Sequence, residues 1–212
     1  NIGRVHAGGE FGFEAKVYKG LSIVGAAAFG RYRYNTRQLV TQTIDNSALE
    51  VQKDLTIYTK NFNVPTPQEA YTIGFDYRSP KFWFFNANFN YFNQMYLGFD
   101  PIRRSAAAVN GVEPGTALWY SVINQTRLPS QYTVDIFAGW SWLMNNRFKG
   151  MKKRTYMVLN VGVNNLLDNV DIVSGGFETL RFDFAEKDVN KFQDRRFFNY
   201  GRNFFASIGF RF

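Results

Sequence analysis

The sequence predicts an all-β protein whose antiparallel strands form a segment of a transmembrane β-barrel, and three observations support this fold class. Apolar and polar residues alternate in about seven stretches, as they do in strands with one apolar and one polar face. The connections between these stretches alternate between short and long, which is typical of outer-membrane barrels and unusual for soluble sandwiches. Aromatic residues make up 18% of the chain and lie mostly in the alternating stretches. Together these patterns favour strands that face lipid.

The composition excludes other classes of protein and site. Mean hydropathy is -0.29, and no run of about 18 apolar residues is present, which excludes a transmembrane helix. The chain has no cysteine and one histidine, so disulfides, thiolate metal sites and a Ser/His/Asp triad lack candidates. The net charge of +8 is compatible with an acidic partner such as nucleic acid, lipid headgroups or lipopolysaccharide. We interpret it as charge that solvates loops and turns, because its clearest cluster lies between two strand patterns: Lys149, Lys152, Lys153 and Arg154.

Two alternating stretches open the chain and predict the first hairpin. Residues 9–17 place Phe11 and Phe13 on one face and charged residues or glycine on the other. Tyr18–Gly20 follows as a three-residue loop, with Gly20 where a left-handed residue is wanted. The second strand runs over residues 21–29, with a less regular alternation.

The next hairpin contains the stretch FWFFNANFNYF, residues 82–92, which presents two environments. Asparagines alternate there with alanine and large aromatic residues. In a soluble sandwich the apolar face would be the core, whereas in an outer-membrane barrel it faces lipid and the asparagines face a water-filled lumen. An alternating stretch at 71–77 precedes it, and a three-residue turn at 79–81 would oppose Phe75 to Phe85.

Three further stretches, at 132–142, 157–163 and 200–212, complete the predicted strands. Long connections of about 35–69, 93–130 and 168–199 follow the second, fourth and sixth strands, while short turns follow the first, third and fifth. Barrels have short periplasmic turns and long extracellular loops, so we interpret the long connections as extracellular and the apolar face as lipid-facing. Aromatic residues at both ends of that face match the two girdles of a barrel: Tyr77, Trp83, Trp140, Trp142, Phe210 and Phe212 at the short turns, and Tyr71, Tyr91, Tyr132 and Tyr200 at the long loops.

The chain resembles the C-terminal part of a TonB-dependent outer-membrane transporter, most closely the SusC/RagA-like branch, over nearly all of residues 1–212. The resemblance is carried by the order and spacing of VPTPQEAYTIGFDYRSPKFWFFNANFNYF (64–92), YLGFDPIRR (96–104), LNVGVNNLLDN (159–169) and the closing FFASIGFRF. It implies a barrel of the 22-stranded class with a plugged lumen. It also implies a C-terminal assembly signal, for which we assign Tyr200, Phe204, Ile208, Phe210 and Phe212.

We expect the chain to be a truncation or a nicked half of a longer protein. The opening NIGRVHAGG has neither the charged n-region nor the apolar h-region of a signal peptide, which indicates a processed or truncated start. Seven is an odd number, whereas single-chain bacterial barrels have even numbers of strands. The plug, the TonB-contacting segment and the earlier strands of the resembled family are not in this sequence.

The sequence offers binding candidates and no catalytic group, so we predict that the chain is not an enzyme and needs no cofactor. Amides on the polar strand face could bind a polar solute, or belong to a hydrated wall or a plug contact. Aromatic residues in the second long loop could stack on a sugar or peptide, or pack among loops. An arginine pair there could hold a carboxylate or be structural. These candidates are Asn86, Asn88 and Asn90; Trp119 and Tyr120; and Arg103 and Arg104.

The resemblance implies energised import of a nutrient, with this chain supplying barrel wall and loops in the outer membrane of a Gram-negative cell. The expected partners are outer-membrane lipid, the rest of the barrel and its plug, the TonB energising complex and a SusD-like surface lipoprotein, and no nucleic acid. A SusD-like cap would make the substrate a glycan or an oligopeptide rather than necessarily an iron chelate. The alternatives are a passive porin or surface adhesin, a soluble β-sandwich that binds carbohydrate or nucleic acid, and, less well supported, an enzyme barrel.

Overall fold

The computed structural model describes residues 3–43 and 50–212. The strands in this part of the chain are β1 (Arg4–Tyr18), β2 (Leu21–Tyr34), β3 (Leu39–Thr43), β4 (Glu50–Thr56), β5 (Glu69–Arg78), β6 (Trp83–Asn93), β7 (Gln131–Leu143), β8 (Tyr156–Asn164), β9 (Val173–Phe177), β10 (Arg195–Phe198) and β11 (Asn203–Arg211). The helices are α1 (Ala117–Ile123) and two 3-10 turns, Ile102–Arg104 and Met144–Asn146. None of the described helices is long and apolar enough to cross a lipid bilayer.

Seven strands form one antiparallel sheet in the order β1-β2-β5-β6-β7-β8-β11. This confirms the predicted all-β, antiparallel fold class and agrees with a segment of a barrel wall. Each strand pairs with the next strand of the sheet along the chain, because the hairpins β3–β4 and β9–β10 lie in long connections and form small sheets of their own. The strands alternate in direction, so β1 and β11, the two edges of the sheet, run the same way.

The register places every apolar set on the same side of this sheet. Ile23 faces Phe75, Ala87 faces Ile136, and Leu159 faces both Trp140 and Ile208. We call this side the apolar face. The opposite side, the polar face, carries glycines, asparagines, threonines and serines together with a few rings.

Large side chains of the apolar face are exposed. Trp83 and Trp140 are 41% and 45% exposed and Phe204 is 69% exposed, whereas the inner faces of a sandwich pack against a second sheet about 10 Å away. Within the described residues no layer covers this face. Its exposed large residues include Phe11, Phe13, Ile23, Phe29, Tyr71, Ile73, Phe75, Trp83, Phe89, Tyr132, Trp140, Val161, Phe204, Ile208 and Phe210.

Rings of the apolar face also meet in two bands. At the long-loop end Tyr71 lies 6.3 Å from Tyr91 between ring centroids, and Phe89 lies 5.9 Å from Tyr132. At the short-turn end the pairs Tyr77–Trp83 and Trp140–Trp142 have centroids 4.9 and 6.4 Å apart. The structure therefore has aromatic residues at both ends of the sheet, where the sequence pattern placed them.

The long connections hold the buried core. We call them loop 1 (35–68), loop 2 (94–130) and loop 3 (165–202). Two clusters of buried apolar residues are present in the described part of the chain, and all their buried members lie in these loops: Met95, Leu97, Leu128 and Val173 in one, and Ala108, Val109, Val122 and Phe182 in the other. Both buried clusters thus lie beside the sheet's end and not on its apolar face.

The two hairpin turns differ from the sequence prediction in detail. Tyr18 pairs directly with Leu21, so the turn is Lys19-Gly20 with an irregularity before Tyr18, and Gly20 has the expected left-handed φ of 74°. A Cβ at Gly20 would also collide with the carbonyl oxygen of Arg78. The expectation of a left-handed glycine is confirmed, but the three-residue loop is not.

The turn between β5 and β6 is longer than three residues. Phe82 lies outside the strand with a φ of 64°, and Phe75 faces Ala87 rather than Phe85. The predicted register was therefore wrong by two positions. Because side chains alternate with a period of two, an even shift leaves each residue on its predicted face.

Candidate functional site

The predicted asparagines form a hydrogen-bonded ladder across the polar face. Asn88 donates to the side-chain oxygen of Asn86 at 2.7 Å. Asn90 accepts from the hydroxyl of Thr72 at 2.8 Å and donates to Thr133 and Asp135 at 3.1 and 2.8 Å. The three asparagines are half-buried. The ladder joins β5, β6 and β7. Most of the amide oxygens and nitrogens of the three asparagines are therefore already hydrogen-bonded within the sheet.

Three phenylalanines interrupt the polar face. Phe84, Phe137 and Phe205 lie in a row, with ring centroids 5.2 and 5.7 Å apart. Phe84 covers Gly139 and Phe205 covers Gly162, and a Cβ at either glycine would collide with the ring above it unless that ring moved. Sequence reasoning missed this row; the signal was a glycine directly opposite each covering ring, which is readable only once the register is known.

Backbone contacts join the three long loops into one unit. Tyr58 of loop 1 donates its N–H to the carbonyl of Arg104 in loop 2 at 2.8 Å. Gly98 of loop 2 pairs with Phe177 of loop 3 as an isolated bridge. Gln125 of loop 2 exchanges two hydrogen bonds with the backbone of Asn63 in loop 1, at 2.8 and 2.6 Å. Each loop is therefore held by at least one other.

Arg104 and Glu178 form the buried ion pair at the centre of this unit. The side chains are 0% and 2% exposed. The Arg104 guanidinium donates to both carboxylate oxygens, with Nη2 2.8 Å from Oε1. Glu178 also accepts from the Thr126 hydroxyl at 3.0 Å and from the backbone N–H of Asp100 at 2.9 Å. Such bidentate, charge-assisted pairs are strong when every lone pair is used.

Arg103 and Arg104 also stabilise the C-terminal end of α1. The last carbonyls of a helix have no partner within it, and the helix dipole favours cations there. Both guanidinium groups donate to these carbonyls. Arg103 donates to Ser121 at 2.6 Å and Val122 at 2.8 Å, and Arg104 donates to Ile123 at 3.3 Å and Asn124 at 2.6 Å.

Two acids of this cluster have pKa values shifted in opposite directions, although burial acts to raise both. Burial alone would raise the pKa of Glu178, but the hydrogen bond and charge of Arg104 outweigh it and hold that pKa below its ordinary value. Burial raises the pKa of Asp100, even though the N–H groups of Ile102 and Arg103 act against it. The Asp100 Oδ2 atom is buried without a hydrogen-bond partner among the described residues. Glu178 is therefore stabilised as an anion, and Asp100 is not.

The aromatic candidates of loop 2 have different surroundings. Trp119 packs against the second buried cluster and lies 6.4 Å from Tyr58 between ring centroids. Tyr120, next to it on α1, is 50% exposed. Thr116 caps the helix, since its hydroxyl accepts the N–H of Trp119 at 3.2 Å. Trp119 is thus half-buried and packs within the loops, whereas the ring of Tyr120 is exposed to solvent.

A cleft of about 560 Å³ in loop 3 combines rings, amides and charges. Burial and the nearby Glu178 raise the pKa of Asp194. No lining residue was singled out from the sequence, because the cleft depends on how residues 189–198 fold back. The lining residues are Val189, Asn190, Phe192, Gln193, Asp194, Arg196 and Phe198.

The residues assigned to the assembly signal lie on or beside the sheet edge. Phe204, Ile208 and Phe210 project from the apolar face of β11. Tyr200 and Phe212 lie just outside the bounds of β11, and Tyr200 is 91% exposed. All five are exposed.

Comparisons with known proteins give the following. No protein-family model matches the chain, and no curated protein matches it. Among solved structures, the chain is similar to the ferric-catecholate import receptor Fiu from E. coli K12 in a closed form, with 13% sequence identity and a TM-score of 0.49. The likeness covers 98% of this chain and 21% of that receptor, so the chain spans about a fifth of the length of that protein.

Proposed function

We propose that this chain forms part of the wall and the long loops of an outer-membrane barrel that imports a nutrient with energy from a TonB complex. The observation that carries the proposal is a single antiparallel sheet with an uncovered apolar face, a polar opposite face and packed loops at one end. Burying one large apolar side chain contributes roughly 1.5–3 kcal/mol. A face with this many exposed rings is therefore suited to hydrocarbon and not to water.

The strand edges support a wall that continues beyond β1 and β11. An exposed edge presents unpaired N–H and C=O groups, which are costly in a bilayer because no water is present to bond them. Additional strands on both edges would satisfy these groups. We infer that they come from the remaining barrel of the same protein, with a plug inside it.

The import mechanism and the SusC/RagA-like assignment rest on the sequence phrases quoted above. In this mechanism a solute binds at the long-loop end, the plug moves when the TonB complex acts on it, and the solute passes through the lumen. A SusD-like lipoprotein would cap the long loops from outside.

The loop surfaces favour a polar solute such as a glycan or an oligopeptide. Phe192 and Phe198 offer ring faces for stacking, while Asn190, Gln193 and Asp194 offer hydrogen-bonding groups in the same cleft. Tyr120 adds an exposed ring on loop 2. Trp119 is mostly committed to packing, and Arg103 and Arg104 hold α1 and Glu178, so we expect them to shape the surface from beneath.

The test is uptake and binding by the intact protein. Glycans, oligopeptides and siderophores would be compared for binding, and uptake of the ligand would be measured with and without the TonB complex. We expect binding of a glycan or peptide and loss of uptake without TonB. Uptake that continues unchanged without TonB would contradict active import and favour a passive porin.

A pair of ring variants tests the binding surface. Phe198→Ala removes an exposed ring from the cleft, and Phe148→Ala removes a similarly exposed ring at the short-turn end. Because stacking requires the ring, the first substitution is expected to weaken ligand binding several-fold and the second to leave it unchanged. Equal affinities in both variants would exclude the cleft as the binding surface.

A further inference from the structure

The turn between β7 and β8 is the most basic segment of the described chain. Residues 144–155 hold five cations and no carboxylate: Arg147, Lys149, Lys152, Lys153 and Arg154. All five are exposed. Among residues 3–43 and 50–212, none of them lies within ion-pair distance of an acid, whereas Arg78, the last residue of β5, pairs with Asp76 at 3.5 Å. These charges have no partner in the described chain.

The turn has an ordered backbone. Asn145 donates to the carbonyls of Met151 and Lys153 at 3.3 and 2.9 Å and accepts the N–H of Thr155 at 2.8 Å. The 3-10 turn Met144–Asn146 begins directly after β7. One side chain therefore closes the loop that presents the lysines.

Aromatic rings lie beside these cations on the apolar face. Trp140 stacks on Trp142 at 6.4 Å between centroids, and Phe148 of the turn meets Trp142 edge-on at 6.4 Å. Aromatic residues prefer the level of lipid headgroups, and lysine and arginine extend from there toward phosphates. Rings at the border of the apolar face, followed by unpaired cations beyond it, match the profile of a bilayer surface that carries negative charge.

We propose that this turn binds the headgroups of anionic phospholipids, with Lys149, Lys152 and Lys153 as the main contacts and the Trp140–Trp142–Phe148 rings at the acyl boundary. This inference rests on the proposed placement of the apolar face in a membrane. Each basic residue near an anionic surface strengthens the attraction by roughly fivefold, and salt weakens the effect.

The experiment measures which lipid lies next to the turn. The intact protein carrying Asn146→Cys, with other cysteines removed, is labelled with bimane and reconstituted into vesicles of phosphatidylcholine and phosphatidylglycerol. One or the other lipid is brominated, and quenching of the label reports its proximity. We expect brominated phosphatidylglycerol to quench several-fold more effectively per lipid, with the preference falling at high salt.

Matched variants separate the outcomes. Lys149/Lys152/Lys153→Gln is expected to abolish the preference, and Lys53/Lys60/Arg181→Gln, three exposed cations elsewhere in the described chain, is expected to keep it. Equal quenching by both lipids in the unsubstituted turn, or a preference that survives the first triple substitution, overturns the inference while leaving the membrane placement intact. No quenching by either lipid would instead contradict the membrane placement itself.

Discussion

The sheet and the long loops differ in which kinds of side chain they expose and bury. The sheet leaves rings such as Trp140 and Phe204 exposed on its apolar face, while the loops bury the charged side chains of Arg104 and Glu178 completely or nearly so. Charged side chains are almost never fully buried unless they are paired, as these two are, whereas so many exposed rings on one face are unusual for a protein in water. The difference agrees with the proposed placement, in which the apolar face contacts lipid, while the loops pack around buried clusters of their own.

Breaking the buried ion pair is expected to have the largest effect and to separate the two regions. Glu178→Gln leaves the Arg104 guanidinium buried without a counter-charge, which typically costs about 3–5 kcal/mol. Hydrogen exchange should accelerate in β9 and α1 and remain slow in β6 and β7. Glu186→Gln, at an exposed position, is the control. Unchanged hydrogen exchange in the loops of the Glu178→Gln variant would show that the Arg104–Glu178 ion pair does not stabilise them.

Arginine substitutions on the two faces of β8 test whether the apolar face contacts lipid and the polar face contacts water. Val161 lies on the apolar face and Asn160, its neighbour, on the polar face. In a bilayer, Val161→Arg should cost about 2–4 kcal/mol near the midplane, whereas Asn160→Arg should remain within about 1 kcal/mol, because water can reach its side chain. The free energy of unfolding in vesicles measures both. Equal costs would remove the distinction between the faces.

The helix cap of loop 2 offers a smaller perturbation. Thr116→Ala removes the acceptor for the Trp119 N–H and is expected to destabilise α1 by about 1 kcal/mol. Thr116→Ser retains a hydroxyl and should restore most of the loss. Hydrogen exchange of residues 119–120 reports the change; identical rates in the two variants would mean that the cap contributes nothing.

The smallest expected effect is the contribution of Asp100 to the pH dependence of loop stability. Because burial raises its pKa, Asp100 binds a proton more readily in the folded loops than in the unfolded chain, so it lowers stability as pH rises through the raised pKa. Asp100→Asn should therefore leave loop stability at pH 7 unchanged or higher, and should remove that dependence. A marked loss of stability at pH 7 would contradict this account.

Glu178 gives the opposite pH dependence. Its pKa lies below the ordinary value, so its contribution to stability is present at neutral pH and is lost as pH falls through that lowered pKa. Hydrogen-exchange protection in the loops, measured relative to the intrinsic exchange rate at each pH, should thus persist down to about pH 4, the usual range of a glutamate, and fall only below it. Loops that open already at pH 6 would show that another group controls them.

The sheet was largely predictable from the sequence because its signal is local. Alternation in 71–77 and 82–92 assigns residues to faces without any knowledge of neighbours, and a register error of two positions at Phe75 changed no face. The small strands β3, β4, β9 and β10 were missed because they are only four to seven residues long and lie in segments without clear alternation.

The loop site was not predictable for a physical reason. Arg104 and Glu178 are separated by 74 positions, and nothing in one sequence states which acid meets which base. The arginines were noticed, together with their structural alternative, but their partners in α1 and loop 3 follow from the folded backbone alone. The rings Phe84, Phe137 and Phe205 were likewise hidden, because their glycine partners are assigned only by the register.

The shared ion pair gives the long-loop end a mechanical property. Arg104 of loop 2 is bonded through its carbonyl to loop 1 and through its guanidinium to loop 3. Gln125 also bonds Asn63 of loop 1, and Gly98 pairs with Phe177 of loop 3, so a displacement of one loop is expected to be transmitted to the other two. A partner that binds any one of the three long loops is therefore expected to affect the position of all of them.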